Sequence, residues 1–316
     1  MTGNAILVAV DDPSAGQWVD LLRAHSGGRP VRSLDDIGDP GDIAYACVFR
    51  APPGLLASLP NLRLIFNLGA GVDRLFSDPL LPMVPIVRAA HPDLSMRMTE
   101  YVVLHVLRYH RREPVYEAQQ RARIWESHAQ PAASKVNVGV MGLGVIGTEA
   151  ALVLARIGFN VAGWSASPKT IAGVATYHGK DGLGAFLAWT EILVCLLPLT
   201  DATRGILNRT LFAQLKSDGA AGGAYLINAG RGGLQVEDDI LAALDDGTLA
   251  GATLDVFAQE PLPPESPMWT HAKVTLTPHN AGDVSPAVLI EDVVAQFARF
   301  ERGEPLLNVV DRGRGY

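Results

Sequence analysis

Cysteine is scarce in this chain. Its 316 residues include two, Cys47 and Cys195, each inside an apolar run. A disulfide framework is therefore excluded, and a reducing cytoplasm is the expected compartment. Charge is also modest, at 19% of residues, with 26 Lys plus Arg against 33 Asp plus Glu for a net of -7. No basic block is dense enough to grip a polyphosphate backbone, so no nucleic-acid partner is expected. Apolar residues make up 48%, but Gly, Pro or charge interrupts the runs before they reach bilayer length, and no membrane span is expected. The opening Met1-Thr2-Gly3-Asn4 leads straight into an apolar run without the basic region and cleavage site of an export signal, so secretion is not expected.

The length suggests two domains, each able to bury a core. Apolar runs at 6–10, 45–49, 64–66 and 84–87 read as strands separated by mixed polar segments. A helix is expected from Thr99 to about Gln119, with Val103, Val106 and Leu107 on its apolar side. Further strands are expected at 136–140, 161–164, 192–197, 224–228, 251–255 and 274–277. Helices at 149–157, capped by Gly158, and at 238–244 alternate with them, as in a mostly parallel sheet. A last helix starts after Ser285, with Pro286 in its first turn and Ile290, Val294, Phe297 and Ala298 as its stripe. The expected class is α/β with two domains: a doubly wound dinucleotide-binding domain with a parallel sheet, and a flavodoxin-like substrate or lid domain. The expected boundaries are 1–98 with 284–316 for the substrate domain and 99–283 for the NAD(P)-binding domain.

The strongest local motif is Gly142-Leu143-Gly144-Val145-Ile146-Gly147, a G-x-G-x-x-G turn between an expected strand and an amphipathic helix. Gly142 allows the tight turn, Gly144 lets backbone approach a pyrophosphate, and Gly147 lets the helix pack closely on the sheet. Leu143, Val145 and Ile146 contribute backbone at the helix start, where free N–H groups favour phosphate. About 20 residues after the first glycine, an NAD site normally carries an acid for the ribose hydroxyls. Here the segment is Trp164-Ser165-Ala166-Ser167-Pro168-Lys169. Two hydroxyls and Lys169, with no carboxylate to repel a 2'-phosphate, favour NADPH, with NADH also possible. A solvated loop charge is an equal reading of Lys169.

Four further segments each follow an expected strand. In Asn228-Ala229-Gly230-Arg231-Gly232-Gly233, Arg231 can fork onto a carboxylate. In 254–261 and 277–282, Asp255, Glu260 and His279 can converge beside a cofactor. Each has a bland alternative: a surface charge, a turn former, an exposed acid, a satisfied imidazole. In Asn67-Leu68-Gly69-Ala70-Gly71-Val72-Asp73, small residues can expose backbone N–H groups to an anion, or simply make a turn. Arg88, His91, Arg97 and Glu100 read as substrate contacts or as interdomain links. The segment 163–167 lacks the final glycine of a serine-hydrolase elbow, and Glu260 with His279 is too small a donor set for a metal, so no metal is expected.

The glycine turn, Asn228-Ala229-Gly230-Arg231-Gly232, the segment 254–261 and Pro278-His279 resemble the D-2-hydroxyacid dehydrogenase family. The segments 67–73, Met98-Thr99-Glu100-Tyr101, 260–267 and the ending Val310-Asp311-Arg312-Gly313-Arg314-Gly315-Tyr316 resemble its glyoxylate/hydroxypyruvate reductase A branch. The resemblance implies reversible hydride transfer between a nicotinamide cofactor and a small 2-oxo acid, in a homodimer whose two-domain subunits close over a cleft. It implies Arg231, Glu260 and His279 as the catalytic set, with Arg231 polarising the ketone, His279 donating the proton and Glu260 holding the other imidazole nitrogen. It implies Asp255 as the residue orienting the nicotinamide, Leu197 and Pro198 at the adenosine pocket, and Ala229 and Arg231 beside the cofactor. Ala70 and Gly71 match the backbone that binds the substrate carboxylate. Two departures stand out. Ala166 and Pro168 replace arginines common in this branch, and Phe49-Arg50 replaces a Trp-His pair, so that Arg50 is either a substrate contact or a surface charge. A bulkier 2-oxo acid, or a nicotinamide sensor without turnover, are the competing functions.

Overall fold

The structure, a computed structural model, describes residues 3–313 and 315. Within the C-terminal motif, Arg314 and Tyr316 lie outside the described residues, as do Met1 and Thr2. The chain divides into two compact units, Met1–Leu94 with Val284–Tyr316, and Ser95–Asp283.

The first unit holds β1 (Ala5–Val10), α1 (Ala15–His25), β2 (Val31–Ser33), β3 (Ile43–Phe49), β4 (Leu64–Asn67), α2 (Asp73–Phe76) and β5 (Ile86–Arg88). Its strands are all parallel, in the order β2-β1-β3-β4-β5, which is the flavodoxin-like winding. Every residue of β1 is buried, as a sheet covered on both faces requires. One face packs Ile6, Val8, Cys47 and Phe66 against helical residues such as Trp18 and Leu22. The other packs Leu7, Ala46, Val48 and Ile65 beneath Leu56, Leu59 and Leu75.

The second unit holds α3 (Pro92–His110), α4 (Glu113–Ala122), β6 (Asn137–Met141), α5 (Val145–Ile157), β7 (Asn160–Ser165), β8 (Ala175–His178), α6 (Gly179–Trp189), β9 (Ile192–Cys195), α7 (Arg209–Phe212), β10 (Tyr225–Asn228), α8 (Glu237–Asp245), β11 (Gly251–Leu254) and β12 (Val274–Leu276). The first turn of α3 belongs by contacts to the other unit. The seven strands run parallel in the order β12-β11-β10-β9-β6-β7-β8. This is the doubly wound dinucleotide-binding order, reversing between β6 and β9. The last helix, α9 (Pro286–Glu301), returns to the first unit, where Leu289, Ile290, Val293 and Phe297 join its core.

Several expectations shift in detail. The single helix expected from Thr99 to Gln119 is two, because a proline ring at position 114 collides with the carbonyl four residues back, at His110, where α3 ends. The chain turns through Arg112 at φ 57° before α4 begins. The buried side of α3 is Tyr101, Val102, His105, Val106 and Tyr109, not the side centred on Val103 and Leu107. The stripe of α9 is likewise rotated by one residue, and Ser285 makes no side-chain cap. Gly158 does cap α5, at φ 107°, while Phe159 N–H reaches back to Leu154 O. Both cysteines are free and buried. Burial raises the Cys47 thiol pKa, and that of Cys195 to about 12.

Candidate active site

The three glycines of the fingerprint each meet a different constraint. Gly142 sits at φ 102°, and a Cβ there would lie 2.8 Å from Leu196 O. A Cβ on Gly147 would collide with the Gly142 carbonyl oxygen, so helix and turn touch through backbone. A Cβ on Gly144 would meet nothing within 4 Å; the space above the turn is open to a ligand. Gly144 caps α5, and Thr148 N–H makes the first helical bond, to Gly144 O, at 2.9 Å. The N–H groups of Val145, Ile146 and Gly147 therefore precede the helical ladder, as a pyrophosphate cradle requires. Gly142 N–H is tied to Trp164 O at 2.8 Å, and Leu196 N–H to Met141 O at 2.8 Å, which locks the turn between β7 and β9. Leu143 is buried behind it.

At the end of β7 the side chains divide between core and surface. Trp164 is buried, its indole N–H donating to Gly179 O at 2.9 Å. Ser165 is buried and donates to Ser167 O at 2.8 Å. Ser167 and Lys169 are exposed, and Thr176 donates to Lys169 O at 2.8 Å, holding that loop over β8. Sequence reasoning missed His178, which pairs in register with Ser165 and is exposed. Its strand is a half-exposed edge with too few apolar residues to read as one. Leu197 packs into the core, and Pro198 O accepts from Thr203 Oγ1 at 2.7 Å.

Arg231, Asp255, Glu260 and His279 follow the C-terminal ends of β10, β11 and β12, which are neighbours in the sheet. Adjacent strands lie about 4.8 Å apart, so the topology gathers these residues along one edge. Asn228, buried, shapes the Arg231 turn. Its Oδ1 accepts from Gly230 N–H at 3.1 Å, and its Nδ2 donates to Arg231 O at 3.2 Å and to Gln235 Oε1 at 2.8 Å. Gln235 in turn donates to Val256 O at 2.9 Å. A Cβ on Gly232 would collide with Phe257 O. Glycine thus lets the Arg231 turn lie directly against the segment that carries Glu260. Arg231 is half-buried, and Nη1 donates to Gly230 O at 2.7 Å. Ala229 is buried, with its N–H on Cys195 O at 3.2 Å.

Glu260 precedes a cis peptide to Pro261. Its Oε1 accepts from Phe257 N–H at 3.1 Å, and its Oε2 lies 2.8 Å from His279 Nδ1. The carboxylate is 15% exposed and the imidazole 33%. Glu260 therefore orients the ring and leaves Nε2 as the nitrogen that can serve a substrate. His279 has φ 54°, an uphill backbone for a residue with a Cβ. Asp255, 1% exposed, holds that backbone in place. It accepts from Thr277 Oγ1 at 2.6 Å, Asn280 N–H at 3.0 Å and Ala281 N–H at 3.1 Å. Sequence spacing could not reveal this grip.

On the first unit, Asn67 is buried and donates through Nδ2 to Gly69 O at 2.6 Å and Gly71 O at 3.0 Å. These bonds curl the loop and leave Ala70 and Gly71 half-buried at its surface. Arg88 donates to Ala70 O at 3.3 Å. Arg50 lies at φ 59°, with its guanidinium carbon 5.4 Å from the Phe49 ring centroid. Among the described residues no group of three or more His, Cys, Asp or Glu side chains could hold a metal, and no helix is long and apolar enough to cross a membrane.

A parallel sheet in dinucleotide-binding order, with a glycine cradle and an Arg, Glu and His along its C-terminal edge, defines a nicotinamide-dependent oxidoreductase. Residues 103–281 match the family described as D-isomer specific 2-hydroxyacid dehydrogenase, NAD binding domain, and the chain belongs to that family. It is 41% identical over 308 residues to a glyoxylate/hydroxypyruvate reductase A from Yersinia enterocolitica, covering 96% of each chain. Its fold matches, at TM-score 0.93 and 44% identity, an NADPH-dependent glyoxylate/hydroxypyruvate reductase from Sinorhizobium meliloti solved with NADP and sulfate, covering 99% of this chain and 100% of that one. A D-isomer specific 2-hydroxyacid dehydrogenase from Xanthobacter autotrophicus, solved with NADPH and MES, matches at TM-score 0.92 and 42% identity over 100% of each chain.

Proposed function

We propose that this protein reduces a small 2-oxo acid with NADPH, converting glyoxylate to glycolate and hydroxypyruvate to glycerate. The observation that carries the reading is the Glu260–His279 pair, at 2.8 Å, on the same sheet edge as Arg231 and the open glycine cradle. The cradle residues 142–146 would hold the pyrophosphate. Ser165, Ser167, Lys169 and the Trp164 backbone would hold the phosphorylated ribose, and Leu197, Pro198 and Ala229 would line the rest of the cofactor. NADPH, when bound, supplies the hydride that adds to C2 of the oxo acid.

The residues of the chain do the remaining work. His279, through Nε2, gives a proton to the developing alkoxide while Glu260 holds Nδ1. Arg231 binds a carboxylate oxygen and the ketone oxygen, and its positive charge stabilises the negative charge that builds there. The N–H groups of Ala70 and Gly71 are assigned to the substrate carboxylate. Asp255 is assigned to the nicotinamide amide, beside its work of holding residues 277–281 in shape.

The assay is NADPH consumption with glyoxylate, hydroxypyruvate and bulkier 2-oxo acids in parallel, for the wild-type chain, His279→Gln and Arg50→Ala. Turnover of the small acids, lost by about 10²-fold in His279→Gln, is the expected result. Turnover confined to a bulky acid would replace this substrate assignment, and none at all would reject the reaction. A change in acid preference in Arg50→Ala would place Arg50 at the substrate.

We further propose a homodimer in the cytoplasm. Helix α4 buries no side chain within its own chain, Ile124 is 52% exposed, and Trp125 is fully exposed. Such an apolar surface suits a second copy, and two free buried cysteines suit a reducing compartment. Sedimentation of the wild type and of Trp125→Glu tests the dimer.

A further inference from the structure

The motif Met98-Thr99-Glu100-Tyr101 has no part in the chemistry above, yet it delivers Tyr101 to the base of the His279 loop. The Tyr101 hydroxyl lies 2.8 Å from Thr277 Oγ1, and Thr277 donates its single hydroxyl proton to Asp255 Oδ1 at 2.6 Å. With that proton committed, Tyr101 is the donor of the first bond. Burial raises the Tyr101 pKa, so the hydroxyl stays protonated and able to donate. The ring of Tyr101 is itself seated on His105, with centroids 4.4 Å apart, on the buried face of α3.

We propose that Tyr101 is a positioning residue for proton transfer, acting through Thr277 and Asp255 on the backbone that aims His279. Asp255 holds the N–H groups of Asn280 and Ala281, directly after His279, and His279 N–H bonds Thr277 O at 3.0 Å. The left-handed φ of 54° at His279 persists because both sides of it are tied down. Removing the outermost hydroxyl loosens Thr277 and Asp255 together. The imidazole then samples orientations in which Nε2 no longer faces the ketone oxygen. The inference rests on the reduction reading for its kinetic arm and stands apart from it in its spectroscopic arm.

The variants are Tyr101→Phe, Thr277→Val, Thr277→Ser and the Tyr101→Phe/Thr277→Val double. Loss of one net hydrogen bond in the relay lowers kcat about 3- to 10-fold in Tyr101→Phe, with KM for the oxo acid and for NADPH changing less than about two-fold. Thr277→Val loses at least as much, and Thr277→Ser recovers about half of wild-type kcat or more. Because the bonds run in series, adding Tyr101→Phe to Thr277→Val costs little more. In the free enzyme, the downfield Nδ1–H proton resonance of His279, hydrogen-bonded to Glu260, broadens or exchanges faster in Tyr101→Phe and Thr277→Val alike. Wild-type kcat with an unmoved resonance in Tyr101→Phe overturns the proposal, as do additive losses in the double variant. If Tyr101→Phe fails to fold, the comparison of Thr277→Ser with Thr277→Val decides the question. If the wild-type chain turns over no oxo acid, the reduction reading falls and the resonance alone decides the relay.

Discussion

His105 makes the stability of the second unit depend on pH in a direction that can be calculated. It is 5% exposed on α3, its Nδ1 has no hydrogen-bond partner among the described residues, and its ring packs at a 58° tilt against Tyr101. Burial lowers its pKa from 6.5 to about 4, Arg108 one turn away pushes in the same direction, and Asp255 opposes weakly. The folded unit thus carries a neutral imidazole where the unfolded chain would bind a proton. His105 costs almost nothing above about pH 7, and stability falls as pH drops through 6.5 towards 4. Each tenfold difference in proton affinity is worth 1.36 kcal/mol, so the full penalty is about 3 kcal/mol, of which about 2 kcal/mol appears between pH 7 and 5. His105→Phe keeps a ring on Tyr101 and removes the titration. Urea unfolding followed by tryptophan fluorescence suits the test, because Trp125, Trp164, Trp189 and Trp269 lie in the second unit and only Trp18 in the first. Between pH 7 and 5 the variant should lose about 2 kcal/mol less than wild type. The same pH dependence in both proteins would refute the argument. His110, also lowered by burial, leaves a residual slope of the same sign in the variant.

Four other substitutions probe the site. Gly147→Ala drives a methyl into the Gly142 carbonyl and should destabilise by about 2–3 kcal/mol. Gly144→Ala has room in the fold and should instead weaken NADPH binding; thermal melts with a fluorescence titration separate the two. Arg231→Leu should lower kcat/KM by about 10²- to 10³-fold, and unchanged steady-state kinetics would remove Arg231 from the mechanism. Lys169→Ala should weaken NADPH about five-fold, as an exposed ionic contact is worth about 1 kcal/mol, and leave NADH unchanged. Equal effects on the two cofactors would make Lys169 an ordinary loop charge.

The parts legible in the sequence are those whose physics is local. The glycine turn was readable because its three constraints fall within six residues between a strand and a helix, and the solid packing at Gly142 and Gly147 matches the roles read from their spacing. Fully buried strands such as β1 and β9 announce themselves as apolar runs. The short β2 and the half-exposed edge strand β8 carry no comparable run, so they and the helices after β1 and β8 were not legible. That Arg231, Glu260 and His279 follow strand ends, at three to six residues' distance, was readable. Their mutual arrangement was not.

The sequence alone determined the class of fold, the glycine turn and the kinds of reactive side chain available, since those depend on residues close together in the chain. Tertiary structure alone decided that Glu260 orients His279 across 19 positions, that Asp255 holds a left-handed histidine across 22 to 26, and that His105 stays neutral. Those outcomes depend on which distant groups share a hydrogen bond or a dry interior, and no spacing along the chain encodes that.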